Sequence, residues 1–140
     1  MLNSLGAIAT AQAMGIPMQQ ILPALKKFSG ARRRFETKGR IDGIWVVDDY
    51  AHHPKEIEAT LKSVRRIWPD RYLTVVFQPH LYSRTKDFAP EFAQSLSLAD
   101  EVVLMNIYPA REKPIPNVSS NIIMDKITVP VRLMAESEIV

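Results

Sequence analysis

Ile44-Trp45-Val46-Val47-Asp48-Asp49-Tyr50-Ala51-His52-His53-Pro54 (residues 44–54) is the stretch on which the reading of this chain turns. Four apolar residues in a row, all of them β-branched or aromatic, predict a short strand buried on both faces. Six mostly polar residues follow, and Pro54 then opens a segment with Ile57, Leu61, Val64 and Trp68 at helical spacing. Glu56 and Glu58 sit in the first turns of that segment, and Lys62, Arg65 and Arg66 near its end, as the helix dipole favours. Pro69 stops it.

Downstream the alternation repeats. Leu73 to Phe77 predicts a second buried strand, Lys86 to Leu98 a second helix, and Glu101 to Met105 a third strand. Residues 106–118 form a proline-rich loop, followed by a short helix near Asn121 to Ile127 and a strand at Val131 to Met134. Glu136 to Val140 opens a further helix. Strand–helix alternation with short connections implies an α/β domain, a Rossmann-like, mainly parallel sheet flanked by helices. Ligands of such sheets gather beyond the carboxyl ends of the strands. Asp48 to His53 and Gln78 to Arg84 are therefore expected on one edge of the sheet, facing one site.

Upstream, Leu5, Ile8, Ala9 and Gln12 predict a helix ending near Gly15, and Ile21, Leu22, Leu25 and Phe28 a second, kinked or shifted by Pro23 and closed by Ser29-Gly30. Phe35 to Ile41 reads as a strand, and Asp42-Gly43 as a hairpin turn leading into Ile44. At 140 residues and 46% hydrophobic, the chain is long enough for a real core. It has no cysteine, which removes disulfides, thiolate metal sites and cysteine nucleophiles together. No apolar run approaches the roughly 18 residues needed to span a bilayer, and the amino terminus lacks a signal-peptide pattern, so the expected location is cytoplasmic.

The formal charge of +3 is unevenly spread. Lys26, Lys27, Arg32, Arg33, Arg34, Lys38 and Arg40 face a single Glu36 in the same segment. Such a cluster suits nucleotide phosphates or a nucleic-acid backbone, and equally a solvated basic loop. In Asp48 to Pro54, two carboxylates, a phenol and two imidazoles lie where a helix amino terminus attracts phosphate. The bland alternative is that Asp or His caps the helix and the rest is a polar turn. In the second cluster His80 and Arg84 stand four apart and share a face if the segment is helical. An arginine fork there suits a carboxylate or phosphate. GxxxxGK[ST], GxGxxG and GxSxG motifs are absent, so a nucleotide-using enzyme needs its phosphate loop elsewhere.

DDYAHHPKEI (residues 48–57), VVFQPHLYSRT (75–85) and IYPAREKPI (107–115) together resemble the carboxy-terminal domain of the Mur ligases, in particular those that join L-alanine to UDP-N-acetylmuramate. LNSLGAIATAQAMGI (2–16) and FSGARRRFETKG (28–39) resemble the end of the central, ATP-binding domain of those enzymes and its junction to the last domain. The resemblance implies a boundary near residue 32, with 33–140 as the carboxy-terminal domain. It also implies an ATP-dependent carboxylate–amine ligase acting in the cytoplasm in peptidoglycan precursor synthesis, and so in cell wall biogenesis, cell shape and division. In that reaction ATP, with Mg2+ bound mainly by the central domain, phosphorylates the lactyl carboxylate of UDP-N-acetylmuramate. The amine of L-alanine then attacks the acyl phosphate.

Carried over by position, the resemblance implies that Asn3 contacts adenine, and that Arg34 and Asp49 contact the nucleotide. Tyr50 and His52 stand beside the reacting groups, His52 also near ATP, and His80 with Arg84 holds the alanine or product carboxylate. Leu81 replaces an arginine found in some members, which shifts carboxylate recognition towards Arg84. Further chain is implied on both sides: the UDP-binding and central domains before Met1, and a helix and strand after Val140. The fragment alone is expected to be inactive. Its partners are then small molecules and those domains, with neither nucleic acid nor membrane. The related murein tripeptide ligase shares the DD-aromatic-AHHP segment and is the nearest alternative. A metal-dependent phosphoesterase, suggested by adjacent Asp and His-His, would need upstream ligands, yet Asp42 is the sole Asp or His before Asp48. A nucleic-acid module on the basic run lacks interleaved aromatics apart from Phe28 and Phe35.

Overall fold

The computed structural model describes residues 2–28 and 30–138, without the side chains of Leu2 and Asn3. The chain divides into two compact units that meet between Asp48 and Asp49.

The first unit holds α1 (Leu2–Ala13), α2 (Met18–Lys27), β1 (Glu36–Ile41) and β2 (Ile44–Asp48). Gly15, with φ of +79°, ends α1 by donating to the Gln12 carbonyl while Ile16 donates to that of Ala11. This is the paired closure that a left-handed residue after a helix makes. Pro23 lies within α2, which ends at Lys27. The predicted Ser29-Gly30 stop includes Ser29, which lies outside the described residues. β1 and β2 pair antiparallel around Asp42-Gly43, both at positive φ, as the turn signal predicts. The register shifts between Thr37 and Gly39, which bends the ribbon.

This pairing corrects one expectation. β2 is not a strand of the parallel sheet, and Ile44, Trp45 and Val46 are exposed. Among the described residues its one strand neighbour is β1, so the backbone pairs on one side.

The second unit carries α3 (Pro54–Ile67), β3 (Thr74–Phe77), α4 (Tyr82–Leu96), β4 (Glu101–Met105), α5 (Asn121–Met124) and β5 (Val131–Met134), then one 3-10 turn at Glu136–Glu138. β3, β4 and β5 form a parallel sheet in that order, with Phe77 opposite Leu104 and Leu104 opposite Leu133. The central strand is the most buried: Val102, Val103 and Leu104 are all at most 4% exposed. Ile57 and Leu61 of α3, Ala89, Phe92, Ala93 and Leu96 of α4, and Ile123 of α5 complete the core. Helical spacing in α3 thus reads as predicted at its first two apolar positions.

Three departures follow, the first two with local causes. α4 begins at Tyr82 rather than Lys86 because Thr85 N–H and Oγ1 both donate to the Leu81 carbonyl and close the first turn early. Pro90 inside α4 lacks an N–H, and the helix breaks regularity at Phe88, with φ −121° and ψ 19°. α5 stops at Met124 instead of reaching Ile127. No helix among the described residues is long and apolar enough to cross a membrane.

Polar ties fix the far end of this unit. The Asp100 carboxylate accepts from Leu73 N–H at 2.7 Å and pairs with Arg65 at 2.8 Å, while Arg65 also donates to the carbonyls of Leu98 and Arg71. One residue on α3 thereby joins the α4–β4 turn to the entry of β3. Leu73's N–H bond and the Arg65 guanidinium hold the Asp100 carboxyl below its ordinary value, against the opposing effect of burial.

Candidate functional site

The second unit opens with a turn at Asp49 and then starts α3. Asp49 accepts from Ala51 N–H at 2.8 Å, a side-chain turn of the kind aspartate makes over two residues. His53 is the residue before the helix, and its Nδ1 accepts from Lys55 N–H at 3.3 Å. Glu56 reaches back, its Oε2 accepting from His52 N–H at 3.0 Å and His53 N–H at 3.3 Å. This reciprocal arrangement is a capping box, with Pro54 in the first helical position where no N–H is missed. For His53, the bland reading of a helix cap is therefore the correct one.

His52 is placed differently. Its Nδ1 lies 3.0 Å from the Tyr50 carbonyl and 3.4 Å from the Glu56 carboxylate. Its ring is tilted against that of Tyr50, with centroids 5.1 Å apart, and Tyr50 itself is largely exposed. The exposed Tyr50 and the half-buried His52 thus form one aromatic–imidazole pair beside the helix start.

The second cluster follows β3. His80 precedes α4 rather than lying on it, which corrects the expectation that His80 and Arg84 share a helical face. His80 instead bridges Tyr108 in parallel fashion: Tyr108 N–H donates to the Pro79 carbonyl at 2.8 Å, and Leu81 N–H to the Tyr108 carbonyl at 3.0 Å. The two rings stack with centroids 5.6 Å apart and planes 18° from parallel. Leu81 then takes φ of +73° with ψ of 135°, a backbone region costly for a branched side chain and common at binding sites. The strain lets the chain leave the bridge and enter α4 within one residue.

Arg84 lies in the first turn of α4, and its Nη1 is buried without a hydrogen-bond partner. A guanidinium nitrogen in that state is costly unless an acceptor arrives. Next to it, Glu112 accepts from both Ser83 N–H, at 3.0 Å, and Ser83 Oγ. Those bonds, with the charge of Arg84, hold the Glu112 carboxyl below its ordinary value, against the opposing effect of burial. The loop 106–118 therefore grips the start of α4 twice, through Tyr108 and through Glu112.

α4 joins the two clusters. Phe88 meets His53 edge-on at 5.0 Å, and Ser95 Oγ donates to the Pro54 carbonyl at 3.0 Å. Among the described residues no group of three or more His, Asp or Glu side chains converges as a metal site would.

The family described as Mur ligase, glutamate ligase domain, matches residues 33–139. The chain belongs to this family. The UDP-N-acetylmuramate–L-alanine ligase of Solidesulfovibrio magneticus is 54% identical over 84% of this chain and 26% of its own length. That of Flavobacterium johnsoniae is 49% identical over 99% of this chain and 31% of its own. The crystal structure of the UDP-N-acetylmuramate–alanine ligase of Thermotoga maritima superposes with a TM-score of 0.77 at 28% identity, over 99% of this chain and 30% of that one. A murein peptide ligase from Psychrobacter arcticus gives 0.64 at 26% identity, over 97% of this chain and 28% of that one. The chain spans about a third or less of these relatives.

Within the Mur ligase fold, the sequence-derived site residues are distributed as follows. Asn3 lies on α1 with its side chain outside the described ones. Arg34 is exposed in the turn before β1, where its N–H donates to the Ala31 carbonyl at 3.3 Å. Asp48 pairs with Arg33 and Lys38 at 3.7 Å each, so part of the basic cluster is balanced locally. Tyr50 and His52 are brought together, and His80 and Arg84 flank the strained Leu81. Glu56, Ser83, Tyr108 and Glu112 were not singled out by sequence reasoning. The capping-box spacing from His53 to Glu56 was available as a signal; the pairing of Ser83 with Glu112, 29 residues apart, was not.

Proposed function

We propose that this chain is the amino-acid-facing domain of an ATP-dependent ligase that joins L-alanine to UDP-N-acetylmuramate through an acyl phosphate. The observation that carries the reading is the identity of about half the residues, across nearly the whole chain, to proteins named for that reaction. In this reading the enzyme serves peptidoglycan precursor synthesis in the cytoplasm, and the rest of the longer protein supplies the phosphate-binding loop and the UDP site. Mg2+ in this reading is held mainly by the rest of the longer protein, and no step is assigned to a metal held by this chain.

The chain's own contribution is positional. Phosphoryl and acyl transfer of this type depend on alignment and charge more than on protein nucleophiles. Arg84 and His80 hold the carboxylate of the incoming amino acid, the buried Nη1 of Arg84 providing a donor that awaits an acceptor. His80 is oriented by its stack on Tyr108. Tyr50 and His52 face the reacting amine, and Asn3, Arg34 and Asp49 contact the nucleotide. The murein peptide ligase reading rests on the second structural likeness, at 26% identity.

In the full-length enzyme, Arg84→Ala is expected to raise the KM for L-alanine roughly ten- to hundred-fold, matching the loss of a charge-assisted hydrogen bond. The KM for ATP should stay within a few-fold. An unchanged alanine KM in steady-state phosphate release would remove Arg84 from the site, and a preference for tripeptide over alanine would favour the second reading.

A further inference from the structure

Two adjacent histidines at the start of α3 meet opposite kinds of group. The Nδ1 of His53 faces Lys55 N–H, a backbone group that can only donate. That nitrogen must therefore carry the lone pair, and the proton of the neutral ring sits on Nε2. The Nδ1 of His52 faces two acceptors, the Tyr50 carbonyl at 3.0 Å and the Glu56 carboxylate at 3.4 Å. A lone pair aimed at two oxygens is repelled by both. The proton of the neutral His52 ring therefore sits on Nδ1, and its Nε2 carries the lone pair.

We propose that His53 and His52 are held in opposite tautomers by the α3 capping box, and that Nε2 of His52 is the acceptor for the proton released by the attacking amine. Glu56 is the positioning residue common to both. Its Oε2 takes the N–H groups of His52 and His53 and also faces the His52 ring, so the bond that starts the helix also orients the base. The acceptor role rests on the ligase reading above; the tautomers rest on geometry alone.

The step balances without a further reactant. The amine nitrogen forms a bond to the acyl carbon, and the C–O bond to phosphate breaks with its electron pair leaving on phosphate. One N–H proton of the resulting ammonium passes to His52 Nε2. Because Nδ1 already carries its own proton, gaining a second at Nε2 disturbs neither contact of Nδ1. The base can therefore cycle without moving the helix start. His53 does not have this freedom, since its Nδ1 is occupied in capping.

Two measurements test this. Long-range 1H–15N spectra of the labelled chain, at about pH 8.5 where an ordinary imidazole is neutral, report the tautomer of each ring. The chain has three histidines, so His52→Gln, His53→Gln and His80→Gln spectra assign them. The expected result is a protonated Nδ1 and bare Nε2 for His52, with the reverse for His53. A His52 ring protonated at Nε2, or the same tautomer for both, overturns the proposal.

In the full-length ligase, His52→Gln keeps an acceptor near the Nε2 position but cannot take a proton. It should lower kcat by roughly 10²- to 10⁴-fold, with alanine KM changed less than about three-fold. An unchanged kcat overturns the acceptor role even if the tautomers are as described. A wild-type enzyme showing no alanine-dependent phosphate release would bring down the ligase reading and the acceptor role together, leaving the spectra to judge the tautomers.

Discussion

β2 and β4 are written in nearly the same alphabet, Ile44-Trp45-Val46-Val47 against Val102-Val103-Leu104, and they end in opposite surroundings. Trp45 and Val46 are 42% and 46% exposed, whereas Val102 and Leu104 are fully buried. β4 has a strand on each side and is packed by α3, α4 and α5; β2 has one partner strand, β1. An apolar run thus permits burial without dictating it. What decides is the number of layers the rest of the chain brings to it.

The largest expected effect that bears on this contrast is Leu104→Ala, which should cost about 2–5 kcal/mol in urea unfolding because it opens a cavity in a fully packed core. Next is Gly43→Ala. Gly43 has φ of +83°, and a Cβ there meets no neighbour, so the cost is conformational, about 1–2 kcal/mol. It should be confined to faster amide exchange in the hairpin. Val46→Ala, on the exposed strand, is expected within about 0.5 kcal/mol of wild type. A cost at Val46 matching that at Leu104 would show β2 to be covered in solution and end the contrast.

The smallest effect concerns acid. A carboxyl whose folded pKa lies below its unfolded value adds stability above the unfolded value, and that stability is lost as pH falls through the folded one. Asp100 and Glu112 are both of this kind. Asp100→Asn should therefore flatten the decline of stability below about pH 4, measured by urea midpoints across pH.

Much of the architecture was legible because it rests on local rules. Pro54 with Glu56 announced α3, Asp42-Gly43 announced the hairpin, and β5 fell on the four residues predicted for it. What the sequence could not convey was partnership at a distance. Nothing in Ile44 to Val47 says that β1 is its one strand neighbour among the described residues, and the start of α4 depends on Leu81 accepting a strained backbone. In the candidate site, the resemblance singled out His52, but residue type alone does not separate it from His53. The groups around each Nδ1 show physically why one is a cap and the other is not. Arg84 was legible as a donor, but not that one of its nitrogens would be buried without a partner.

The double grip of loop 106–118 on α4 has a consequence for proteolysis. Arg111 is exposed and immediately precedes Glu112, while Lys113 is followed by Pro114, a bond that trypsin cuts poorly. Cleavage at Arg111 needs several residues drawn into an extended shape, so Glu112 must first leave Ser83 and Tyr108 must leave its bridge with His80. The nicking rate at this one bond is then a clock for how often the carboxylate-holding corner comes apart. A ligand seated on Arg84 should slow that clock without touching the bond that is cut.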